Sequence, residues 1–461
     1  MIFRNRQMDM CRGPLLGKMV WFTLPLLFSS ILQLAFHAVD MIVIGRCAPH
    51  ESLAAVGSSG IINGFMINIF CGLSVGTNVV VARSCGAKDP KSIRRCVHTS
   101  IALALYGGAV LLVLGEIISA PMLRLLGTPE NVMGEALTYL RICFLAVPFI
   151  LFFNFGNAVL RATGDTLRPM FFLVAAGVVN ASLNLFFVLG CGMYASGVAL
   201  ATLIAHGVSA SLILLTLTRS TTAIRLIWSY VRIDWAQCRE ILRIGVPAGL
   251  QSSCYAISNL LIQSTVNSFG SLAIAGSTAA GTLEGFVAIG SGACHQAALA
   301  FTAQNFGGRQ LARIRRSIFT AAGLSAVFAV AVGWGLYLGG NALLGIFTTD
   351  ESVIPWGMRR MAVMFTTYIF CGVMDSLSGS LRGLGYSMTS TASAVLGICG
   401  FRICWICWVF PLYPTFEMLF LSYPVSWSAV AVFDGLALAY IWKHRVLPLA
   451  RSWSGAGAPR F

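Results

Sequence analysis

Long apolar runs recur along the whole chain, and no other feature limits its fold as tightly. Residues 101–115 (IALALYGGAVLLVLG) and 198–218 (VALATLIAHGVSASLILLTLT) are two of them. Wound as an α-helix, about 20 such residues cross the ~30 Å of a bilayer's hydrocarbon. A soluble fold would need a very large core and almost no surface. Of the 461 residues, 57% are hydrophobic and 10% are charged, whereas an ordinary soluble domain carries about 25% charged residues. The expected fold is all-α and integral to the membrane.

About twelve spans are expected. They cover 15–45, 52–82, 96–118, 134–160, 169–189, 197–218, 243–270, 275–303, 317–340, 354–380, 389–410 and 421–442. The first follows a basic stretch, is too long for a signal-peptide core, and is read as a retained span. The formal net charge of +15 would suggest nucleic acid in a soluble protein. Here the bases sit in loops and no aromatic-basic motif accompanies them, so no nucleic-acid partner is expected. Most of the 31 Lys and Arg fall in the N-terminus, 83–95, 161–168, 219–243, 304–316, 381–388 and the C-terminal tail. The intervening loops, 119–133 and 341–353 among them, hold Asp and Glu with few bases. The positive-inside rule then puts both termini in the cytoplasm of a multi-pass cell-membrane protein. Most of the fourteen cysteines lie inside apolar runs, as Cys399, Cys404 and Cys407 do. They read as small lipid-compatible residues rather than disulfides or metal ligands.

The second half echoes the first at one constant offset. Ser92-Ile93-Arg94-Arg95 matches Arg313-Ile314-Arg315-Arg316, and Gly86-Ala87-Lys88 matches Gly307-Gly308-Arg309. Leu160-Arg161-x-x-Gly164 matches Leu381-Arg382-x-x-Gly385, and Thr128-Pro129-Glu130 matches Thr349-Asp350-Glu351. Pro25 and Pro247 pair one position off that register. Six spans return each half to its starting side, so the repeats are parallel. That predicts two pseudo-symmetric six-helix bundles around a central cavity, as in carriers that rock about a bound substrate. The expected division is 1–218 for the first lobe, 219–242 for a cytoplasmic linker, 243–445 for the second lobe and 446–461 for a cytoplasmic tail.

Ionisable residues inside spans cost at least ~2.5 kcal/mol each at the bilayer centre, so they should face protein or water. The deepest are Asp40, Glu284, Asp375 and Asp434. Gln33, His37 and Asp40 share one face of the first span; Asn180 and Asn184 pair on the fifth, and Thr202 with His206 on the sixth. Asp40, Asn180, Asn184 and Thr202 together offer oxygen ligands to a hard cation such as Na⁺, or hydrogen bonds to a protonated carboxyl. Asp375, Ser378 and Arg382 share a face, as do their counterparts Asn154, Asn157 and Arg161. The two arginines read as snorkelling anchors at helix ends. Glu284 is expected to line the cavity or cap its helix. Asp434 has no evident partner. Gln251, Tyr255, Asn259 and Gln263 form a polar stripe suited to a cavity wall. His295 and Gln296 suit helix packing better than metal binding. Pro25 and Pro247 are candidate kinks in the leading span of each half.

At Pro25 through Arg46 (PLLFSSILQLAFHAVDMIVIGR) the sequence resembles the opening helix of the multidrug and toxic compound extrusion family. Gln304-Asn305-Phe306-Gly307-Gly308, Leu160-Arg161-Ala162-Thr163-Gly164-Asp165-Thr166 and Leu381-Arg382-Gly383-Leu384-Gly385 resemble it too, and the likeness covers 15–445. The resemblance implies two six-helix lobes and export of organic cations against inward Na⁺ or H⁺. Family cation-site residues map onto Asp40, Asn180, Asn184 and Thr202. The chain departs at Asn184, where an aspartate is frequent. One carboxylate fewer weakens a Na⁺ site and favours proton coupling. Asp375 fits a coupling position of the tenth span, and Glu284 an eighth-span glutamate of bacterial members.

The expected partners are small organic cations and the bilayer, for a monomeric chain with no cofactor beyond the coupling ion, H⁺ or Na⁺. A lipid or lipid-linked precursor flippase of the same superfamily is the nearest alternative. A major-facilitator carrier is disfavoured because 83–95 lacks the basic Gly-Asp-Arg loop. Channels and enzymes are disfavoured because no selectivity-filter sequence, nucleotide loop or nucleophile motif is visible.

Overall fold

A backbone that crosses hydrocarbon must satisfy its own N–H and C=O groups, and uninterrupted helices do that locally. The computed structural model describes residues 7–47, 56, 67, 71–125, 127–348 and 350–455, without the side chains of 37, 41, 44–47 and 452–455. Among the described residues every regular element is helical. The chain groups into two compact units. Leu24–Gly249 with Met1–Asp9 form the first, and Leu250–Phe461 with Met10–Thr23 the second.

The first unit holds most of α1 (Leu15–Cys47) and α2, whose described residues are 71–86. It continues with α3 (Pro90–Leu125), α4 (Glu130–Ala162), α5 (Leu167–Leu185) with a π turn at Phe186–Gly190, and α6 (Tyr194–Thr218). The opening of α7 (Trp235–Asn267) completes it. Leu111 of α3 and Leu140, Phe144, Leu151 and Phe155 of α4 form its core. The segment 219–234 is held against α3: Ile227 N donates to His98 Nε2 at 3.1 Å, and Asp234 N donates to Thr99 Oγ1 at 3.1 Å.

The second unit holds the rest of α7, then α8 (Ser271–Gly307), α9 (Leu311–Leu338), α10 (Gly340–Phe347), α11 (Ile354–Met364) and α12 (Tyr368–Gly383). There follow α13 (Ser387–Ala394), α14 (Phe401–Cys404), α15 (Phe416–Ile441) and α16 (Leu447–Gly455). Thr415 caps α15 by accepting from Met418 N at 3.2 Å. The axes of α11 and α12 bend by 48°. Thr366 and Thr367 stand at that break and donate to the carbonyls of Ala362 at 2.6 Å and Val363 at 2.5 Å. Such back-bonding competes with the helix ladder and bends it. The second unit also receives Met10–Thr23. Gln304 Oε1 accepts from Met10 N at 2.7 Å, and Arg313 donates to the carbonyls of Met10 and Gly13 at 2.8 and 2.9 Å. The Gln304-Asn305-Phe306-Gly307-Gly308 motif is therefore a clasp for the chain start.

Nine described helices are long and apolar enough to span a bilayer, or ten if the bent α11–α12 pair is one span. α7 and the described residues 71–86 of α2 lie in the remaining two expected spans. α7 is less apolar than these because a polar stripe runs along one of its faces. Residues 52–55, 57–66 and 68–70 of the second expected span lie outside the described residues. The loops expected at 119–133 and 341–353 are shorter than the charge pattern suggested. α3 runs on to Leu125, and α10 occupies Gly340–Phe347, because both stretches remain apolar enough to wind.

The repeat is written into the backbone. Lys88 and Arg309, counterparts in register, both adopt positive φ, at 53° and 55°. Gly164 and Gly385 match at 85° and 85°. Non-glycine residues rarely take that conformation, so its recurrence at one offset marks a shared turn geometry. The two unit boundaries fall beside Pro25 in α1 and Pro247 in α7.

Within the first unit α2 and α7 approach through glycine. A Cβ on Gly76 would stand 2.1 Å from the Ile241 carbonyl oxygen, and one on Gly72 would stand 2.3 Å from the Gly249 backbone. Small residues let helices touch where lipid supplies no hydrophobic drive. Gly76→Ala is expected to destabilise the protein by about 1–3 kcal/mol through overpacking. A lowered melting temperature in detergent checks this; an unchanged one removes the close-packing argument.

Candidate functional site

The first unit assembles the four residues expected to form a cation site. Asp40 stands on α1, Asn180 and Asn184 one turn apart on α5, and Thr202 on α6. Asn184 Nδ2 donates to Asp40 Oδ1 and, at 3.2 Å, to Asn180 Oδ1. Asn180 Nδ2 donates to Thr202 Oγ1 at 3.4 Å. Both amide hydrogens of Asn184 are thereby used, while its Oδ1 is buried with no hydrogen-bond partner. Asn184 is fully buried and Asn180 nearly so. Glycine makes the approach possible, since a Cβ at Gly177 on α5 would meet the Phe36 ring of α1 at 1.7 Å. Val39, Val43, Val188, Val198 and Tyr139 form an apolar jacket around this end of the unit. A carboxyl, two amide oxygens and a hydroxyl in apolar surroundings can hold a small hard cation, or a proton on the carboxyl.

Other expected residues are placed differently. The side chain of His37 lies outside the described residues, and Gln33 is exposed. Asn154 donates to the Ile150 carbonyl of its own helix at 2.9 Å. Asn157 Oδ1 accepts from Arg161 Nε at 3.0 Å. The Asp165–Arg168 pair is buried between α4 and α5, which makes the Leu160–Thr166 motif a locked turn.

In the second unit, Arg360 Nη2 meets Glu284 Oε2 at 2.6 Å. Arg360 also donates to the Ser277 carbonyl and hydroxyl, both at 2.8 Å, and covers the Phe420 ring at 4.9 Å. Glu284 is thus engaged by protein. Arg382, read from sequence as a snorkelling anchor, is 6% exposed and donates from Nη2 to Gln251 Oε1 at 2.6 Å. That corrects the expectation: α7 lies over the end of α12, and its amide replaces water. Gln251 Nε2 in turn donates to Tyr255 OH at 2.7 Å. His295 Nδ1 donates to the Asp375 carbonyl at 2.7 Å, a helix–helix bond. The Asp375 side chain stands near Tyr255 and Arg382. Asp434, without a partner in the sequence reading, is buried and accepts from Ser393 Oγ at 2.5 Å. No group of three or more His, Cys, Asp and Glu suits a metal among the described residues.

Sequence reasoning missed two arginines with little exposure. Arg360 and Arg402 both stand inside expected spans, and that alone marks them.

Two helical units built on one repeat, with buried polar groups inside apolar spans, have the architecture of a multi-pass membrane carrier. A family model, MatE, matches residues 25–186 and again 247–407, once per repeat. The probable multidrug resistance protein YoeA of Bacillus subtilis (strain 168) is 26% identical over 435 residues, covering 92% of this chain and 93% of that one. The multidrug export protein MepA of Staphylococcus saprophyticus is 24% identical over 382 residues, covering 82% and 84%. The outward-facing structure of a multidrug resistance MATE family transporter of the MOP superfamily matches with a TM-score of 0.88 at 20% identity, over 95% of this chain and 99% of that one. The chain belongs to the MatE family, a family of transporters rather than enzymes.

The Glu284–Arg360 pair is 16% and 13% exposed at its side chains. Breaking a buried pair strands the remaining charge, at about 3–5 kcal/mol. Glu284→Gln is expected to lower the melting temperature clearly, and Glu284→Gln with Arg360→Met to recover much of the loss. Equal melting of both variants and the parent would show that the pair carries no stability.

Proposed function

We propose that this protein exports small organic molecules across the cell membrane in exchange for inward H⁺ or Na⁺, by alternating access. The observation that carries the reading is the Asp40–Asn184–Asn180–Thr202 cluster, with an unpartnered Asn184 oxygen inside it. An intramembrane acid surrounded by oxygen ligands can be neutralised by a cation from one side and discharge it to the other. Asn184 supplies a neutral oxygen rather than a second carboxylate, which favours H⁺ over Na⁺ as the coupling ion. Relatives named for multidrug resistance and multidrug export support small-molecule cargo. Asp375, with the nearby Gln251–Tyr255 stripe, is the proposed partner of a cationic cargo. The chain works as a monomer, with both termini in the cytoplasm, as its loop bases suggest. Proline removes a backbone hydrogen bond from α1, the helix that carries Asp40, so bending at Pro25 is the proposed response to cation loading.

Asp40→Asn keeps the shape and removes the titratable charge. It is expected to insert normally and to lose ion-driven ethidium efflux in proteoliposomes; full efflux by the variant would end the coupling role. Separate proton and Na⁺ gradients identify the ion. Asp375→Asn is expected to weaken export of cationic cargo and to spare neutral cargo, and equal loss of both would mark it as structural.

A further inference from the structure

The second unit holds a cation that this exchange does not use. Arg402 stands inside the span Ser387–Leu412 and is 4% exposed. Its guanidinium lies 3.8 Å from the centre of the Tyr423 ring. Nε donates to Ser426 Oγ at 3.3 Å, and Nη1 donates to Asn259 Oδ1 at 3.4 Å. Tyr423 OH donates to the same Asn259 oxygen at 3.5 Å. No carboxylate pairs with Arg402 among the described residues. An arginine keeps its proton, so the charge remains in a membrane span. Long bonds to a hydroxyl and an amide solvate it and leave it un-neutralised.

The helix is also deformed around it. π turns at Val395–Gly400 and Trp405–Val409 flank α14, the four-residue α segment that carries Arg402. Such segments occur frequently at functional sites.

The repeat supplies an independent observation. Thr202 and Tyr423 stand apart by the repeat offset. Asn180 and Arg402 stand apart by the offset that separates Pro25 from Pro247, and so do His37 and Asn259. The Arg402–Asn259–Tyr423 group therefore occupies, in the second half, the positions around the cation cluster of the first. The position matching Asp40 is Ile262, so no acid accompanies the arginine. One half presents a carboxyl and amide oxygens; the other presents a guanidinium, an amide and a phenol.

We propose that Arg402, with Asn259 and Tyr423, forms a carboxylate-binding subsite for a small organic anion or zwitterion, a cargo class that rests on the export reading above. Tyr423 covers one face of the guanidinium while Nε and Nη1 already donate, so an incoming group meets the donor edge at Nη2. That edge matches a planar carboxylate. One unbalanced positive charge suits a monoanion, and the rings of Tyr423 and Tyr255 suit an aromatic body.

Binding to the purified full-length protein in detergent, with no ion gradient, separates this subsite from the coupling reading. The probes are rhodamine B, which carries a free carboxylate, and its ethyl ester, followed by fluorescence polarisation. Arg402→Gln is expected to weaken rhodamine B by at least about tenfold, the size of one charge-assisted hydrogen bond, and to leave the ester unchanged. Asn259→Asp places an internal carboxylate beside the guanidinium and is expected to remove the same preference while keeping the charge paired, so the test survives a misfolded Arg402→Gln. Equal loss of both dyes, or unchanged rhodamine B affinity in the Asn259→Asp protein, overturns the proposal. So does displacement of rhodamine B by dihexanoyl phosphatidylglycerol at lower concentration than by benzoate, which would assign the cation to lipid phosphate. If Asp40→Asn loses ion-driven efflux but keeps the dye preference, the two readings are independent; a failed coupling test with the preference intact removes only the antiport mechanism.

Discussion

Charge at membrane depth is the constraint on which the rest of this structure depends. Each ionisable side chain there needs a partner, because lipid offers none. Glu284 is met by Arg360, Arg382 by Gln251, Asp434 by Ser393 and Asp40 by Asn184. The partners come from different helices, so polar pairing knits each unit together where the hydrophobic effect gives little. Pairs that neutralise charge fully, such as Glu284 with Arg360, suit scaffolding. Ser393 at Asp434 offers a hydrogen bond and no opposite charge.

Duplication gave both halves one scaffold and then let their polar groups diverge. Matching turns at Lys88 and Arg309, and at Gly164 and Gly385, show the shared backbone. The units nonetheless exchange helix ends: Met10–Thr23 belongs with the second and the opening of α7 with the first. In each case the change of allegiance falls beside a proline, where a backbone hydrogen bond is already missing. The Gln304–Arg313 segment holds its borrowed segment through the N–H and the carbonyl of Met10, which explains a motif that hydropathy alone leaves unread.

The Asp40 cluster was legible because helical spacing puts Asn180 over Asn184 and because an acid in an apolar run is conspicuous. Arg382 was misread. Its place near a helix end suggested a side chain reaching for water, and only the packing of α7 over α12 shows that an amide takes that role. Arg360 and Arg402 were overlooked since net basic charge had been assigned to loops. Glu284 was visible as a costly residue, but its partner stands 76 positions away, beyond any local pattern.

Sequence by itself determined that the chain must wind into membrane helices, that it does so twice, and which acids are costly enough to need company. Hydropathy, periodicity and repetition are local or translational properties, and they survive in one dimension. Tertiary structure alone decided which partner each charge receives. Pairing depends on which helix faces meet, and those faces are chosen by close approaches such as Phe36 against Gly177 and Gly249 against Gly72. The same letters in other packings would leave the same charges with different neighbours, and a different chemistry.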